Sequence, residues 1–223
     1  MQTVTTPFRL NSFRDPRRTQ GFERWRDPDP RHTNGSQGWH GTSPELGEIV
    51  ITFGFTDSGE RIWSIAEGEA IPTVRYESKG LHVMAGLRMP TLNGGTLWVG
   101  EDEVAMSRNR LGVTDQGRAL HLIHGDDTYR LRAIGPLHYV LARDPSGARP
   151  GTTIQVKQSG KNGMRAMKSG RLSIAFTIEG AAGPTDIALA TIFSGVDRSA
   201  LTPTGAVRAM FARSCDQVVA WGS

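Results

Sequence analysis

The sequence predicts a mainly β protein, namely an antiparallel β-barrel or β-roll of about twelve short strands with a buried C-terminal helix, preceded by an extended N-terminal arm. Apolar and polar residues alternate in several stretches after Glu48, and Gly-containing turn motifs separate these stretches. One segment after Pro184 is apolar on nearly every side, which is typical of a helix enclosed by other elements.

Residues 1–43 form the predicted arm. This stretch has seven arginines, no lysine and four acidic residues, and it shows no sustained helical or strand periodicity. It also has five aromatic residues, more than a fully solvated tail usually has, so we expect part of the arm to dock on the body or on a partner. The partner-binding side chains expected in the arm are Arg17, Arg18, Arg24, Trp25 and Arg26.

The acidic residues of the arm bear on which partner it binds. Arginines interleaved with aromatic residues suit phosphate contacts and base stacking. However, Asp15, Glu23, Asp27 and Asp29 would repel a polyanion. A protein partner or another copy of the chain is therefore favoured over nucleic acid.

The body, residues 44–223, begins with clear alternation. Ile49, Ile51 and Phe53 fall on one face of a predicted strand, and a turn motif follows at residues 57–60. The same rule places Tyr129, Leu131 and Ala133 opposite Arg130 and Arg132, and it places Leu172, Ile174, Phe176 and Ile178 opposite Arg171, Ser173 and Thr177. Applied throughout, it gives about twelve strands between residues 48 and 179.

The C-terminal part is predicted to be helical. Thr185 is the expected N-cap of a helix over residues 186–193, with Asp186 in the first turn. Because this segment has no polar face, a sheet curled around it would bury it; a β-strand is the alternative interpretation. A second short helix is expected at residues 205–213, where three apolar residues share a face.

These strands with Asp-x-Gly hairpins, closed by an apolar helix after Pro184, resemble the tubby-like barrel superfamily, which includes LURP-one-related proteins and phospholipid scramblases. The resemblance is architectural and covers residues 48–196. It implies a barrel that encloses a hydrophobic helix. It also implies association with membranes or phosphoinositides, because several members of that superfamily associate with them.

A cluster of basic residues with no acidic residue among them is the strongest candidate binding site. No acidic residue lies between Asp144 and Glu179, and the cations of this stretch that we expect to bind an anion are Lys157, Lys161, Arg165, Lys168 and Arg171. Backbone N–H groups of the Gly-rich segment 159–165 can approach an oxyanion, so phosphate, nucleic acid or a lipid headgroup would fit. A solvated basic hairpin is the alternative.

Other chemistry has little support. No Walker A motif is present, because Gln155 and Asn162 replace its Gly and its Ser or Thr. The single cysteine, Cys215, has no nearby histidine, and His121 and His124 fall on opposite faces of a strand. We expect no catalytic residue, metal or cofactor. Glu101 and Glu103 are interpreted as solvated turn residues.

The sequence lacks an apolar signal region and any stretch long enough to cross a membrane, so we expect no transmembrane segment and a cytoplasmic protein, either peripheral to a membrane or part of a particle. The favoured function is non-enzymatic binding of an anionic surface, meaning a lipid headgroup or phosphate, or of a protein partner. The alternative is a structural assembly subunit, such as a virion component, whose arm orders on a neighbouring copy. An enzyme with a spatially assembled site is the third hypothesis.

Overall fold

A computed structural model describes residues 4–14, 37–43, 46–56, 60–79, 81–84, 87–109, 117–135, 137–147, 149–159 and 171–202. Within these ranges the chain forms fourteen β-strands and one α-helix. The strands are β1 (Val4–Arg14), β2 (Gln37–Ser43), β3 (Gly47–Phe55), β4 (Ile62–Gly68), β5 (Ile71–Ser78), β6 (Leu81–Met84), β7 (Leu87–Pro90), β8 (Thr96–Val99), β9 (Asp102–Arg108), β10 (Leu120–His124), β11 (Asp127–Gly135), β12 (His138–Arg143), β13 (Thr152–Ser159) and β14 (Arg171–Gly180). The helix α1 (Pro184–Ile192) continues into the 3-10 turn Phe193–Gly195, and a second 3-10 turn spans Ser199–Leu201.

Twelve of these strands form one antiparallel sheet that is rolled into a barrel. The order is β2, β3, β4, β5, β8, β9, β10, β11, β12, β13 and β14, and β1 joins the two ends of this row. The first part of β1 pairs with β14 and its last part pairs with β2. Strands β6 and β7 form a separate hairpin inserted between β5 and β8. The predicted mainly β, antiparallel barrel is confirmed.

The described parts of the predicted arm belong to this barrel. Val4–Arg14 and Gln37–Ser43 are extended, as expected, but they pair with β14 and β3 in the same sheet as the body. The prediction set them apart because they lack the alternation of a strand that is buried on one face. Residues 15–36, which include Arg17, Arg18, Arg24, Trp25 and Arg26, lie outside the described residues.

The core lies between the inner face of the barrel and α1. Ile51, Tyr76, Leu131 and Phe176 are among the inward side chains, and each is at most 3% exposed. In the helix every residue from Asp186 to Ile192 is buried. The helical interpretation of this segment is therefore confirmed, and the alternative of a β-strand is wrong. A helix without a polar face is stable here because the sheet covers all of its sides.

The start of α1 differs from the prediction. Gly183, not Thr185, is the N-cap, and Pro184 occupies the first helical position, where its missing N–H and fixed φ suit a helix start. The Gly183 N–H donates to Asp186 Oδ2 at 2.7 Å, so the Asp186 carboxylate satisfies the cap residue from inside the first turn. The expected second helix, residues 205–213, lies outside the described residues.

Candidate anion-binding site

The antiparallel pairing distributes the connections between strands over two ends of the barrel. The turns β2–β3, β4–β5, β8–β9, β10–β11 and β12–β13 lie at the end where α1 begins. The connections β1–β2, β3–β4, β9–β10, β11–β12 and β13–β14 lie at the opposite end, where α1 ends. The two ends have different charge, so we call them the acidic end and the basic end.

The acidic end has a rim of exposed carboxylates. They lie in or next to the tight turns, and they are Glu48, Glu69, Glu101, Asp102, Glu103 and Asp126. The turn segments 67–72 and 99–104 contain neither Lys nor Arg. Glu101 and Glu103 are exposed, in agreement with their interpretation as solvated turn residues. This end therefore repels an anionic surface.

Cations near the acidic end are already neutralised by carboxylates. Arg130 Nη2 lies 2.5 Å from Asp144 Oδ1, and Arg149 Nη1 lies 2.6 Å from Asp127 Oδ2. Ser146 donates a further hydrogen bond of 3.1 Å to Asp127 Oδ1. These arginines have little positive charge left for an external ligand.

The basic end has two cations, Arg132 and Lys157, on its outer surface at strands β11–β13, and we call these two residues together with the adjacent His138 the basic face. His138 lies directly opposite Lys157 in the β12–β13 register, and Arg132 lies opposite Val140, two residues along β12 from His138. His138 and Lys157 are directly paired, and such pairs have Cβ atoms about 5 Å apart. Arg132 is a diagonal neighbour of His138, a relation that corresponds to about 7–8 Å. Lys157 is exposed, and the other two are half-buried.

The basic face has no counter-charge in the described part of the chain. Neither Arg132 nor Lys157 forms an ion pair with any described residue. The sequence explains why, since residues 128–178 contain a single acid, Asp144, and that carboxylate pairs with Arg130. Two cations without local partners can therefore interact with an external anion.

The structure places the predicted anion-binding residues as follows. Lys157 lies on the outer face of β13, and Arg171 is the first residue of β14 at the same end. Lys161, Arg165 and Lys168 lie outside the described residues, between Ser159 and Arg171. The assignment of these five residues to an anion site stays a prediction.

The strand ends that flank two separately predicted sequence clusters lie at the basic end. The β13–β14 connection holds the basic cluster, and it starts and finishes there because β13 and β14 are antiparallel neighbours. The β1–β2 connection holds the predicted partner-binding residues of the arm, and it starts and finishes there because Arg14 pairs with Gln37. Because β1 lies between β14 and β2, both connections belong to adjacent strands.

Sequence reasoning did not group His138 and Arg132 with Lys157. Alternation placed Arg132 on the outside, which is confirmed, but nothing local shows that β12 and β13 bring His138 and Lys157 beside it. The presence of only one acid, Asp144, over residues 128–178 is the signal that would have extended the predicted cluster back to β11.

A buried polar cluster at the acidic end holds the start of α1 against the barrel. Arg143 Nε donates to Asp186 Oδ1 at 3.0 Å, and Arg143 Nη2 donates to the Ala181 carbonyl at 3.0 Å. Burial, with Asp186 nearby, raises the pKa of Tyr129 well above its usual range. Among the described residues the Tyr129 hydroxyl and Arg143 Nη1 have no hydrogen-bond partner. The contacts that Arg143 and Asp186 do make connect β12 to the start of α1, so this cluster is interpreted as structural.

A second buried cluster holds the other end of α1. Tyr139 donates its hydroxyl to the Ala190 carbonyl at 2.6 Å, and the Arg198 guanidinium lies 4.2 Å from the centre of the Tyr139 ring. Arg198 also donates to Val196 O and to Gln158 Oε1, each at 3.0 Å. Burial lowers the pKa of Arg198 and raises that of Tyr139 to about 12.

The structure also describes some of the residues considered for metal binding, nucleophilic catalysis and membrane crossing. Among the described residues no group of three or more His, Cys, Asp or Glu is arranged to hold a metal ion. His121 and His124 both lie on β10, and Cys215 lies outside the described residues. In the described part of the chain, α1 is too short to cross a membrane, and no helix is long and apolar enough to do so.

The chain was compared with known proteins at the level of sequence and of structure. No protein-family model, no curated protein and no solved structure gives a significant match. Function is therefore inferred from the geometry and charge of the molecule itself.

Proposed function

We propose that this protein binds a phosphate-bearing anionic surface through the basic end of its barrel. The observation that supports the proposal is the segregation of charge. Exposed carboxylates form the rim at one end, while Arg132 and Lys157 lie at the other end without a carboxylate partner among the described residues. Such a field orients the barrel, so that the basic end faces an anionic surface.

Two features of the fold support this binding function. The interior of the barrel is filled by α1 and the core, so the described residues favour recognition on the outside. The twelve strands around an apolar helix also agree with the architecture implied by the resemblance to tubby-like barrels, some of which associate with membranes. Lipid headgroups and other phosphates share the chemistry that Lys and Arg bind.

The test uses the full chain and two phosphate-bearing probes. One is phosphocellulose, and the other is phosphatidylcholine vesicles with or without phosphatidylserine. The double variant Arg132→Gln/Lys157→Gln should weaken vesicle binding by about thirtyfold, because each cation near an anionic surface contributes about 1 kcal/mol. Binding should also fall as salt rises.

A single substitution, Lys157→Met, tests the basic face, and Arg130→Met is its matched control. Each removes one positive charge from the outer surface of the barrel, but the Arg130 charge is already neutralised by Asp144. We expect Lys157→Met to weaken binding and Arg130→Met to have little effect. Equal losses in both variants would show that only net charge matters, and no retention on either probe would refute the proposal.

A further inference from the structure

An exposed isoleucine at the basic end indicates which kind of anionic surface the protein binds. This inference rests on the proposed function. Among the described residues only two large hydrophobic side chains are exposed, Ile134 at 61% and Ile123 at 53%. Ile134 lies at the end of β11, next to the β11–β12 connection at the basic end. Ile123 lies near the end of β10 at the acidic end.

The end of β11 after Ile134 borders open space. The register of β11 against β12 shifts between Ala133 and Gly135, which is typical of a bulge that redirects the strand. A Cβ atom added at Gly135 would meet no atom within 4 Å, so the backbone there borders open space. On the other side of the turn the Leu137 carbonyl accepts a hydrogen bond of 2.8 Å from Gln158 N.

Two cations and a histidine lie on the same part of the outer surface as Ile134. Arg132 precedes Ile134 by two residues on the same face of β11, and His138 pairs with Gly135 across the turn. Lys157 lies opposite His138 on β13. The segment 128–143 contains no acidic residue, so nothing in it repels an anionic headgroup layer.

We propose that Ile134 at the end of β11 is an apolar anchor that enters the interfacial region of an anionic lipid bilayer while Arg132 and Lys157 contact the headgroups. An exposed apolar side chain gains nothing from a soluble phosphate, but it gains free energy on leaving water for the acyl boundary. Membrane-surface segments combine apolar insertion with basic flanks in this way. Charge complementarity and exposure together thus favour a bilayer over a soluble phosphate.

The experiment compares Ile134→Ser with Ile123→Ser in the full chain, by sedimentation with phosphatidylserine-containing vesicles. Both substitutions remove an exposed isoleucine, so neither should change the unfolding transition. Ile134→Ser should weaken vesicle binding about tenfold, a factor equivalent to about 1.4 kcal/mol. Ile123→Ser should bind as the wild type does. Ile134→Trp should retain binding, because tryptophan favours the membrane interface.

Phosphocellulose separates the failure of this inference from the failure of the proposed function. Ile134→Ser should keep wild-type retention there, because that matrix has no acyl region. Vesicle binding by Ile134→Ser equal to that of the wild type, or an equal loss in Ile123→Ser, would overturn the anchor. Retention of the wild type on phosphocellulose but not on vesicles would also overturn the anchor, while it would leave phosphate binding intact.

Discussion

Arg143 and Asp186 form an ion pair in which each side chain is only 1% exposed. Removing two charges from water costs several kcal/mol each, and the cost is offset only where further hydrogen bonds satisfy the ions. Here Arg143 also donates to Ala181 O, and Asp186 also accepts from Gly183 N. At the residue scale, the pair connects β12 to the first turn of α1.

Replacing Arg143 should therefore destabilise the fold strongly. Arg143→Met leaves the Asp186 carboxylate buried without its main partner, and we expect a loss of about 3–5 kcal/mol in the free energy of unfolding. Arg130→Met breaks an exposed pair with Asp144 and should cost at most about 1 kcal/mol. Urea denaturation of the two variants measures both values. Similar small losses in both would mean that the buried pair does not hold α1.

Residue-scale predictions from the sequence succeeded where the cause is local. Alternation correctly placed Leu131 inside the barrel and Arg132 outside it. Two of the Gly-containing motifs that separate the alternating stretches, at residues 93–95 and 125–127, lie at connections between strands, with φ of +64° at Gly94 and +57° at Gly125. The prediction that Thr185 is the N-cap was wrong. Pro184 suits the first helical position and the Asp186 side chain accepts from the Gly183 N–H, so Gly183 is the N-cap and the helix begins at Pro184.

At the scale of elements, the 3-10 turn after α1 packs closely against the inner face of the barrel. A Cβ atom added at Gly195 would overlap Ser64 Oγ and lie 2.9 Å from Ile51 Cγ2. Ser64 lies on β4 and Ile51 lies on β3, so this glycine sets the distance between the helical segment and two strands. A larger residue would force backbone or side chains to move in a filled core.

Gly195→Ala should therefore lower the free energy of unfolding by about 1–3 kcal/mol, the usual cost of overpacking. Gly135→Ala is the matched control, because its added Cβ meets no atom within 4 Å. Adding Ser64→Ala to Gly195→Ala should recover part of the loss, since it removes the nearest atom. Thermal or urea unfolding checks all three variants. Wild-type stability of Gly195→Ala would contradict the close approach.

The N-terminal strands show what sequence periodicity misses at this scale. β1 lies between β14 and β2; its first part pairs with β14 and its last part pairs with β2. Such a strand is specified by hydrogen bonds to strands far away in the sequence, which no local pattern of β1 reveals. The aromatic content of residues 1–43 indicated docking on the body, but it did not indicate a place in the sheet.

At the scale of the whole molecule, all three tyrosines are inside the barrel. Tyr76, Tyr129 and Tyr139 are each at most 1% exposed, and burial raises the pKa of each above the usual value of 10.0. The pKa of Tyr139 is raised to about 12. Because the folded state favours the neutral phenols, their contribution to stability is complete below pH 10 and is lost as the pH rises towards 12 and beyond.

Alkaline titration should accordingly show cooperative behaviour. We expect the tyrosinate absorbance to rise together with the loss of the β-sheet circular dichroism signal, above pH 10. The chain in concentrated denaturant is the control, and its tyrosines should titrate near the usual value of 10.0. A tyrosine that ionises near that value while the circular dichroism stays native would contradict the burial of these phenols.

The charge pattern is also a property of the whole molecule. The total of +4 is modest, and it gives no direction to the field. The strand order places Arg132 and Lys157 on the half of β11 and of β13 that is farther from the acidic turns. The predicted basic cluster could be read from the sequence, but the pairing of β14 with β1 could not.

The sequence by itself determined the class of fold, the approximate number of strands, the inward and outward faces and the enclosed helix, because alternation, turn chemistry and the lack of a polar face are local properties. Only the tertiary structure decided that β1 and β2 complete the barrel, which residues cap and hold α1, and which charges meet at each end. Register and strand order depend on contacts between residues far apart in the chain. The candidate site is therefore a product of topology, since Arg132, His138 and Lys157 become neighbours only when β11, β12 and β13 pair.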